Sequence, residues 1–251
     1  MKNTLTAGAA LLLSTSIATA GGIDRSGSAY SILFEEGNYA QLSFSSVTPE
    51  VSGDYAAPLG GGSTENMAKS YITLGGALKY GVTEEIDLAL FINQPYGANA
   101  EYTDGPYTGL EADWASTQVA ALAKYQATAA VSVYGGIRAI QSEATISIPA
   151  TLTGAVPYEA ETESNTQIGY VLGAAYEMPE IALRVALTYE SGVTHDFDIS
   201  EDFVGAPFQA DGSTDIEMPQ SVALDFQTGV AANSLVFVTI RWAECSVCEV
   251  R

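Results

Sequence analysis

Apolar and polar residues alternate with a period of two along much of this chain. The segment GALKYGVTEEIDLALFI at 76–92 contains two such runs, separated by Thr83, Glu84 and Glu85. Alternation of this kind is typical of a β-strand with one apolar face, because successive side chains of a strand point to opposite sides. The segment therefore predicts a hairpin whose apolar face lies against a protein core or against lipid.

The same pattern predicts nine strands. Their bounds are 38–47, 69–82, 85–93, 116–126, 130–145, 166–177, 181–190, 219–230 and 234–244. Most have about the ~9–11 residues that a tilted strand needs to cross a bilayer. The connections at 83–84, 127–129, 178–180 and 231–233 are short, whereas those at 48–68, 94–115, 146–165 and 191–218 are long and polar. This regular alternation favours an all-β, antiparallel outer-membrane barrel over the alternative, a secreted β-sandwich.

Aromatic and apolar side chains support the same interpretation. Tyr80, Tyr125 and Tyr176 each lie just before a short turn, where an interfacial aromatic girdle is expected. The predicted strand 181–190 carries one continuous apolar face, formed by Ile181, Leu183, Val185, Leu187 and Tyr189. In a barrel, this face contacts lipid.

Composition limits the classes of function. The chain has 251 residues, 16% of them charged, and a formal net charge of −21. Such acidity argues against nucleic acid as a partner. No run of 18 or more apolar residues follows the amino terminus, which argues against a membrane-spanning helix. Residues 1–20 contain Lys2, an apolar stretch and the small residues Ala18 and Ala20, so they predict a cleaved signal peptide and export.

Motifs for catalysis or metal binding are weak in this sequence. Cys245 and Cys248 form an isolated C-x-x-C pair without a second pair of ligands. His195 is the only histidine, so a serine hydrolase would have to use it, and no nucleophile motif accompanies it. The acidic residues of 196–202 do not have the spacing of an EF-hand calcium loop. We therefore expect neither an enzyme nor a metal or cofactor site.

Three stretches resemble the FadL family of outer-membrane transporters for long-chain fatty acids and other hydrophobic compounds. They are MPQSVALDFQTGVA at 218–231, IRW at 240–242, and GGIDRSGSAYSILFEEGNYAQLSF from Gly21. The resemblance implies a monomer in outer-membrane lipid, with a hatch at 21–37 that plugs a barrel at 38–251. It also implies that a hydrophobic ligand enters among the extracellular loops and leaves sideways through a gap in the wall.

The number of predicted strands is odd. A closed antiparallel barrel with both termini on one side of the membrane needs an even number. The chain also ends in CSVCEVR rather than on a strand with a terminal aromatic residue. These observations predict a barrel interrupted near Ala243, and an open, curled sheet with exposed edges.

Basic residues are scarce, and the alternation places five of them on the inward face of their strands. These are Lys79, Lys124, Arg138, Arg184 and Arg241. Asp87, Glu177, Glu190 and Asp225 fall on the same face, so one interpretation is a structural network of ion pairs. The other is that one or two cations hold the carboxylate of a fatty acid, since arginine can grip it through two hydrogen bonds.

Arg138 and Arg184 are the preferred cations in this second interpretation, because the predicted strands place them near mid-strand. The tail of the ligand is expected to lie against Phe34 and Phe91. The inward face also carries Ala77, Ala89, Phe91, Leu122 and Val171. This face suits an apolar conduit better than the alternatives, a general diffusion porin or a structural or adhesive barrel. Sugar-driven swelling of proteoliposomes would favour a porin.

Two further segments carry functional predictions. Phe203 and Phe208 lie in a long loop with Phe197, and such apolar clusters mark either a landing site for a hydrophobic ligand or packing between loops. Pro95 follows the third strand and cannot donate to a ladder. It predicts either simple termination of the strand or a local gap in the wall for lateral release.

Overall fold

The computed structural model describes residues 23–25, 30–204, 209–231 and 234–244, and the fold is all-β. Its thirteen strands are β1 (Tyr39–Val47), β2 (Tyr71–Gly81), β3 (Ile86–Asn93), β4 (Gly97–Glu101), β5 (Glu111–Gln126), β6 (Val131–Ile148), β7 (Tyr158–Thr162), β8 (Asn165–Met178), β9 (Leu183–Glu190), β10 (Val193–Phe203), β11 (Gln209–Met218), β12 (Ser221–Ala231) and β13 (Ser234–Ala243). One α-helical turn, α1, spans Ala150–Thr153, and short 3-10 helices span Ser31–Phe34, Ala57–Leu59 and Pro179–Ile181. The helices of the described residues are all too short or too polar to cross a membrane. The predicted signal peptide lies outside the described residues.

Nine strands form one continuous antiparallel path, in the order β1-β2-β3-β5-β6-β8-β9-β12-β13. They are the nine strands that the alternation predicts, with bounds shifted by a few residues, so the prediction of an antiparallel barrel-type sheet is confirmed. The remaining strands, β4, β7, β10 and β11, lie in segments predicted to be loops. That part of the prediction is wrong, because these segments extend the wall and mouth with strands of their own.

The two faces of the nine-stranded path differ as the alternation requires. Large apolar side chains such as Leu42, Phe44, Leu78, Ile137 and Trp242 are exposed on the outer face. The tyrosines that precede the short turns, Tyr80, Tyr125 and Tyr176, are exposed as well. An exposed apolar surface of this extent on a curled sheet is expected of a protein whose outer face contacts lipid.

The sheet is open in the part of the chain that the structure describes. No backbone pairing joins β1 to β13 there. Along β1, the side chains on both faces are exposed apart from half-buried Val47. The expectation of an open, curled sheet therefore agrees with the described strands.

Residues 30–37 lie inside the curve of the sheet, in the region where the resemblance implies a hatch. Tyr30, Ile32 and Leu33 are buried there against side chains of β2, β3, β5, β6, β8 and β9. We call residues 30–37 the plug, and this apolar group the plug cluster. The wall residues of the plug cluster are Ala77, Ala89, Phe91, Ala120, Leu122, Tyr134, Val171, Ala175 and Ala186. Phe34 packs at its margin. All five residues predicted to form an apolar inward face belong to this cluster.

A second apolar group closes the end of the sheet where the long connections lie. This mouth cluster consists of Tyr96, Trp114, Ile140, Val193, Phe197, Ile216 and Met218. The hairpin of β10 and β11 supplies four of these residues, Val193, Phe197, Ile216 and Met218. β7 pairs with β10 beside the hairpin. The interior thus contains two separate apolar clusters, one at the plug and one at the mouth.

Candidate ligand-binding site

Two inward lysines are bound to the plug through its backbone. Lys79 donates to the carbonyl oxygen of Glu35 over 2.6 Å, and Lys124 donates to that of Leu33 over 2.9 Å. Both ammonium groups also pair with Asp87, at 3.2 Å and 3.4 Å. A buried lysine needs such partners, because an unpaired charge away from water costs several kcal/mol. The inward orientation and the predicted pairing with Asp87 are confirmed.

Arg138 lies at the centre of a buried network between the two apolar clusters. Its guanidinium pairs with Glu190 at 3.5 Å. It also donates to the side-chain oxygen of Gln118 over 3.1 Å and to the carbonyl oxygen of Ser191. Glu190 in turn accepts hydrogen bonds from Tyr30 at 2.7 Å and from Ser221 at 3.0 Å. Arg138 is only 1% exposed and its hydrogen bonds are internal. For this residue the structural interpretation is therefore stronger than the ligand-binding one.

Arg241 is bound to the chain segment that precedes the plug. It forms an ion pair with Asp24, whose backbone also bridges to Tyr96 at the foot of the mouth cluster. The amino-terminal segment is thus fixed to the wall at residues 24, 30, 33 and 35, by four separate side chains of the barrel. These polar contacts add to the apolar packing of Tyr30, Ile32 and Leu33 in the plug cluster.

Arg184 differs from the other inward cations. In the described part of the chain it makes no ion pair, and its guanidinium donates to Gln227 over 3.0 Å and lies 4.9 Å from the ring centre of Phe34. It is the second residue of β9, beside the short turn, so its predicted place near mid-strand is wrong. The strand begins two residues later than predicted, because Pro179–Ile181 forms a 3-10 turn.

A cavity of about 390 Å³ opens in front of this arginine, between the plug and strands β6, β9, β12 and β13. Its lining combines aromatic rings with a few polar groups. The aromatic side chains are Tyr30, Phe34, Tyr134 and Phe237, and the polar ones include Arg184, Asp225, Gln227, Thr188 and Thr239. Asp225 accepts a hydrogen bond from Thr239 over 2.5 Å, which occupies one of its oxygens. Mostly apolar walls with a few placed polar groups are typical of small-molecule sites.

The predicted aromatic contacts fall in different places. Phe34 lines this cavity, whereas Phe91 is buried in the plug cluster against Tyr30, with ring centres 5.0 Å apart. Phe203 lies at the mouth and packs against Tyr158 at 5.2 Å, and Phe208 lies outside the described residues. Phe197 is buried in the mouth cluster, which excludes it from an exposed landing site.

His195 is hydrogen-bonded in an order that resembles a hydrolase triad. Its Nε2 lies 3.2 Å from the Ser142 hydroxyl, and its Nδ1 lies 3.1 Å from the side-chain oxygen of Asn165. Both Ser142 and His195 are buried, however, and the imidazole is stacked on Phe197. Burial lowers the pKa of His195 to about 4, which makes it a poor general base near neutral pH. Within the described residues, no group of acidic, histidine or cysteine side chains is arranged to hold a metal ion.

The wall itself is interrupted beside Pro95. The ladder between β2 and β3 ends at the Gly76–Ile92 pair, and the next backbone contact on this side is the bridge between Ala68 and Ala100. In between, the backbone bonds inward instead: the Pro95 carbonyl oxygen accepts from the Arg25 N–H over 3.0 Å. The N–H of β4's first residue, Gly97, likewise donates to Ile23 over 2.7 Å. Among the described residues a stretch of β2 therefore has no strand partner on this side, and its Leu74 N–H donates instead to the side-chain oxygen of Gln94 over 3.2 Å.

The detour has a local cause in the strand register. Asn93 pairs with Gln118 of β5, and Gly97 pairs with Ala115, so three residues on one side face two on the other. The Ser116 hydroxyl bonds to both the N–H and the carbonyl oxygen of Tyr96, at 3.0 Å and 2.7 Å. This is a β-bulge, which bends the strand that carries the extra residue. The prediction of a local gap at Pro95 thus corresponds to a real interruption, larger than a simple strand end.

Comparisons with known proteins agree on the fold. No family model matches the sequence, and no curated protein sequence matches it either. Among solved structures, the chain is similar to a FadL homologue of Pseudomonas aeruginosa, with a TM-score of 0.60 and 11% sequence identity over 82% of this chain and 59% of the other. It is also similar to the Ralstonia pickettii toluene transporter TbuX, with a TM-score of 0.57 and 16% identity over 84% of this chain and 64% of that protein. The chain thus spans less than two thirds of either protein, and it has the curled antiparallel sheet of FadL-like barrels.

Proposed function

We propose that this chain forms the plugged wall of an outer-membrane transporter for hydrophobic small molecules. The observation that carries this proposal is the aromatic cavity beneath the plug, closed by a wall whose outer face is apolar. A diffusion porin needs a wide aqueous lumen, whereas here the described interior contains two buried apolar clusters and a buried ion-pair network. The solved structures with this fold include a toluene transporter, which supports the same class of cargo.

The ligand is an amphipathic acid of the fatty-acid type, held with its carboxylate on Arg184. This cation has a neutral hydrogen-bond partner and an aromatic contact but no carboxylate in the described structure, so part of its bonding capacity remains for a ligand. The tail lies along Phe34, Tyr134 and Phe237. Lys79, Lys124, Arg138 and Arg241 hold the plug and the wall in place around this site.

Release is lateral, through the interruption between β2 and β3. The unpaired stretch of β2 carries Ile72 and Leu74, which are exposed on the outer face. A ligand that leaves here passes from an apolar interior into lipid without crossing water. Capture at the mouth involves the segment around Phe203, as the sequence predicts.

The test separates the charge of the ligand from its tail. Arg184→Met keeps the bulk of the side chain and removes the charge, so we expect binding of a fatty acid to weaken by about tenfold, as for loss of a charge-assisted hydrogen bond. Binding of the corresponding uncharged alcohol should change little. Tryptophan fluorescence or calorimetry on the protein in lipid vesicles measures both. Lys69→Met, which removes a half-exposed cation far from the cavity, is the matched control.

Equal loss of both ligands in Arg184→Met would contradict the assignment of Arg184 to the carboxylate. Sugar-driven swelling of vesicles that contain the protein would instead support a diffusion porin.

A further inference from the structure

The amino-terminal segment reaches into the wall interruption itself. Residues 23–25 run beside the detour at 95–97, bonded to it through two backbone hydrogen bonds and the Asp24–Tyr96 bridge. From this segment the side chain of Arg25 extends towards β2, where its guanidinium lies 4.0 Å from the ring centre of Tyr71. The same guanidinium donates to Asn99 of β4. Arg25 therefore spans from β4 to β2 across the stretch where the ladder is missing.

Gly97 provides the room for this side chain. A Cβ on Gly97 would overlap the guanidinium of Arg25, so only glycine leaves the space that the arginine occupies. The contact is thus built into two distant parts of the sequence, one in the segment before the plug and one at the start of β4.

Arg25 is nevertheless held by few bonds. Among the described residues its buried Nε has no hydrogen-bond partner, and the hydrogen bond that its Nη2 donates goes to a neutral amide. A buried donor without a partner costs about 1–3 kcal/mol, which weakens the closed arrangement relative to one in which the arginine is free. The Arg25 side chain therefore fills the interruption, while its unpartnered Nε favours release of the guanidinium.

We propose that the Arg25 side chain holds the lateral exit closed, and that it couples the position of the plug to the opening of the wall. Since its backbone is hydrogen-bonded to the detour, movement of the amino-terminal segment withdraws the guanidinium from between Tyr71 and Asn99. The exit then opens only when the amino-terminal segment has moved away from residues 95–97. A ligand therefore cannot pass from lipid into the interior while this segment stays in place. This inference rests on the proposed use of the interruption as an exit.

The experiment measures opening of the wall without any ligand. Thr73→Cys places a thiol on the unpaired stretch of β2, in a background where Cys245 and Cys248 are Ser, and a maleimide that partitions into lipid labels it. We expect Arg25→Ala to accelerate labelling about tenfold, as for loss of one hydrogen bond and one cation–π contact. Gly97→Ala should have the same effect, because its methyl group displaces the guanidinium while Arg25 stays in the sequence. Glu84→Ala, an exposed residue of the short turn between β2 and β3, should leave the rate unchanged.

Unchanged labelling in both Arg25→Ala and Gly97→Ala would overturn the proposal, and so would equal acceleration in Glu84→Ala. The heat-dependent electrophoretic shift of a folded barrel identifies variants that fail to fold, and Gly97→Ala decides if Arg25→Ala does so. If labelling is accelerated in these variants but the unmodified protein binds neither the fatty acid nor the alcohol, the role of Arg25 is supported and the proposed transport function is contradicted.

Discussion

Arg138 and Glu190 show what the interior demands of a single residue. Removal of one partner from a buried ion pair leaves an uncompensated charge, which typically costs about 3–5 kcal/mol. We therefore expect Arg138→Met to lower the free energy of unfolding by about this amount. Midpoints of urea unfolding from lipid vesicles measure the change.

The double variant Arg138→Met with Glu190→Gln is the control, because it removes both charges. It should recover a large part of the lost stability, since no buried carboxylate is then left without its cation. A double variant as unstable as the sum of the two single ones would show that the charges do not interact.

His195 gives the mouth a dependence on pH. Burial lowers its pKa from 6.5 to about 4, so the folded protein binds fewer protons than the unfolded chain between these values. Stability contributed by the neutral imidazole is therefore complete above pH 6.5 and decreases as the pH falls towards 4. We expect the β10–β11 hairpin to become more sensitive to protease over this interval.

The hydrogen bond with Asp196 raises the pKa of Asp215 on the same hairpin, so the histidine contribution is taken as the difference between two proteins. His195→Gln keeps a hydrogen-bonding side chain and cannot take up a proton. Its protease sensitivity should change less than that of the original protein between pH 6.5 and about 4. Identical pH profiles would assign the effect to the carboxylates.

At the scale of elements, the wall interruption follows from one extra residue between β3 and β4 rather than from the missing N–H of Pro95. Three residues face two between β3–β4 and β5, and Pro95 is one of the three. Deletion of Pro95 restores equal numbers and should return the strand to the sheet, whereas Pro95→Ala keeps the extra residue and the bulge. Hydrogen exchange at the amides of Ile72 and Leu74, which face the interruption, should slow in the deletion and stay unchanged in Pro95→Ala. Slower exchange in Pro95→Ala would instead show that the missing N–H causes the gap.

The strands of the path could be predicted from sequence because burial on one face imposes a strict period of two. The side chains of β10 also alternate, with His195, Phe197 and Ile199 inward and Asp196 and Asp198 outward. The many charged residues and the length of the whole connection at 191–218 nevertheless suggest a loop. The alternation itself is the signal that identifies this strand. β4 and β7 are five residues each, too short for periodicity to distinguish them from loops.

Across the whole molecule, the candidate site was only partly predictable. Sequence alternation places Arg184 on the inward face correctly, but its lack of an ion pair depends on where Glu177 and Asp225 point in three dimensions. Tyr30 and Glu190, which join plug to wall, are 160 positions apart in sequence. Arg25 carries no local pattern at all, and its position follows from the backbone pairing of 23–25 with the detour.

The open edges of the sheet impose a rule of direction on assembly. β1 and β13 are the first and ninth strands of an antiparallel path, so both run from the short turns towards the mouth. Copies inserted with the same orientation can therefore meet edge to edge only in parallel, and none can extend a neighbour's wall by antiparallel pairing. A strand that pairs antiparallel with either edge must run from the mouth to the turns, and an odd number of strands must separate β13 from β1 around a closed circumference. The polarity of these two described strands thus excludes rings in which neighbouring copies share a wall through antiparallel pairing, independently of any side chain.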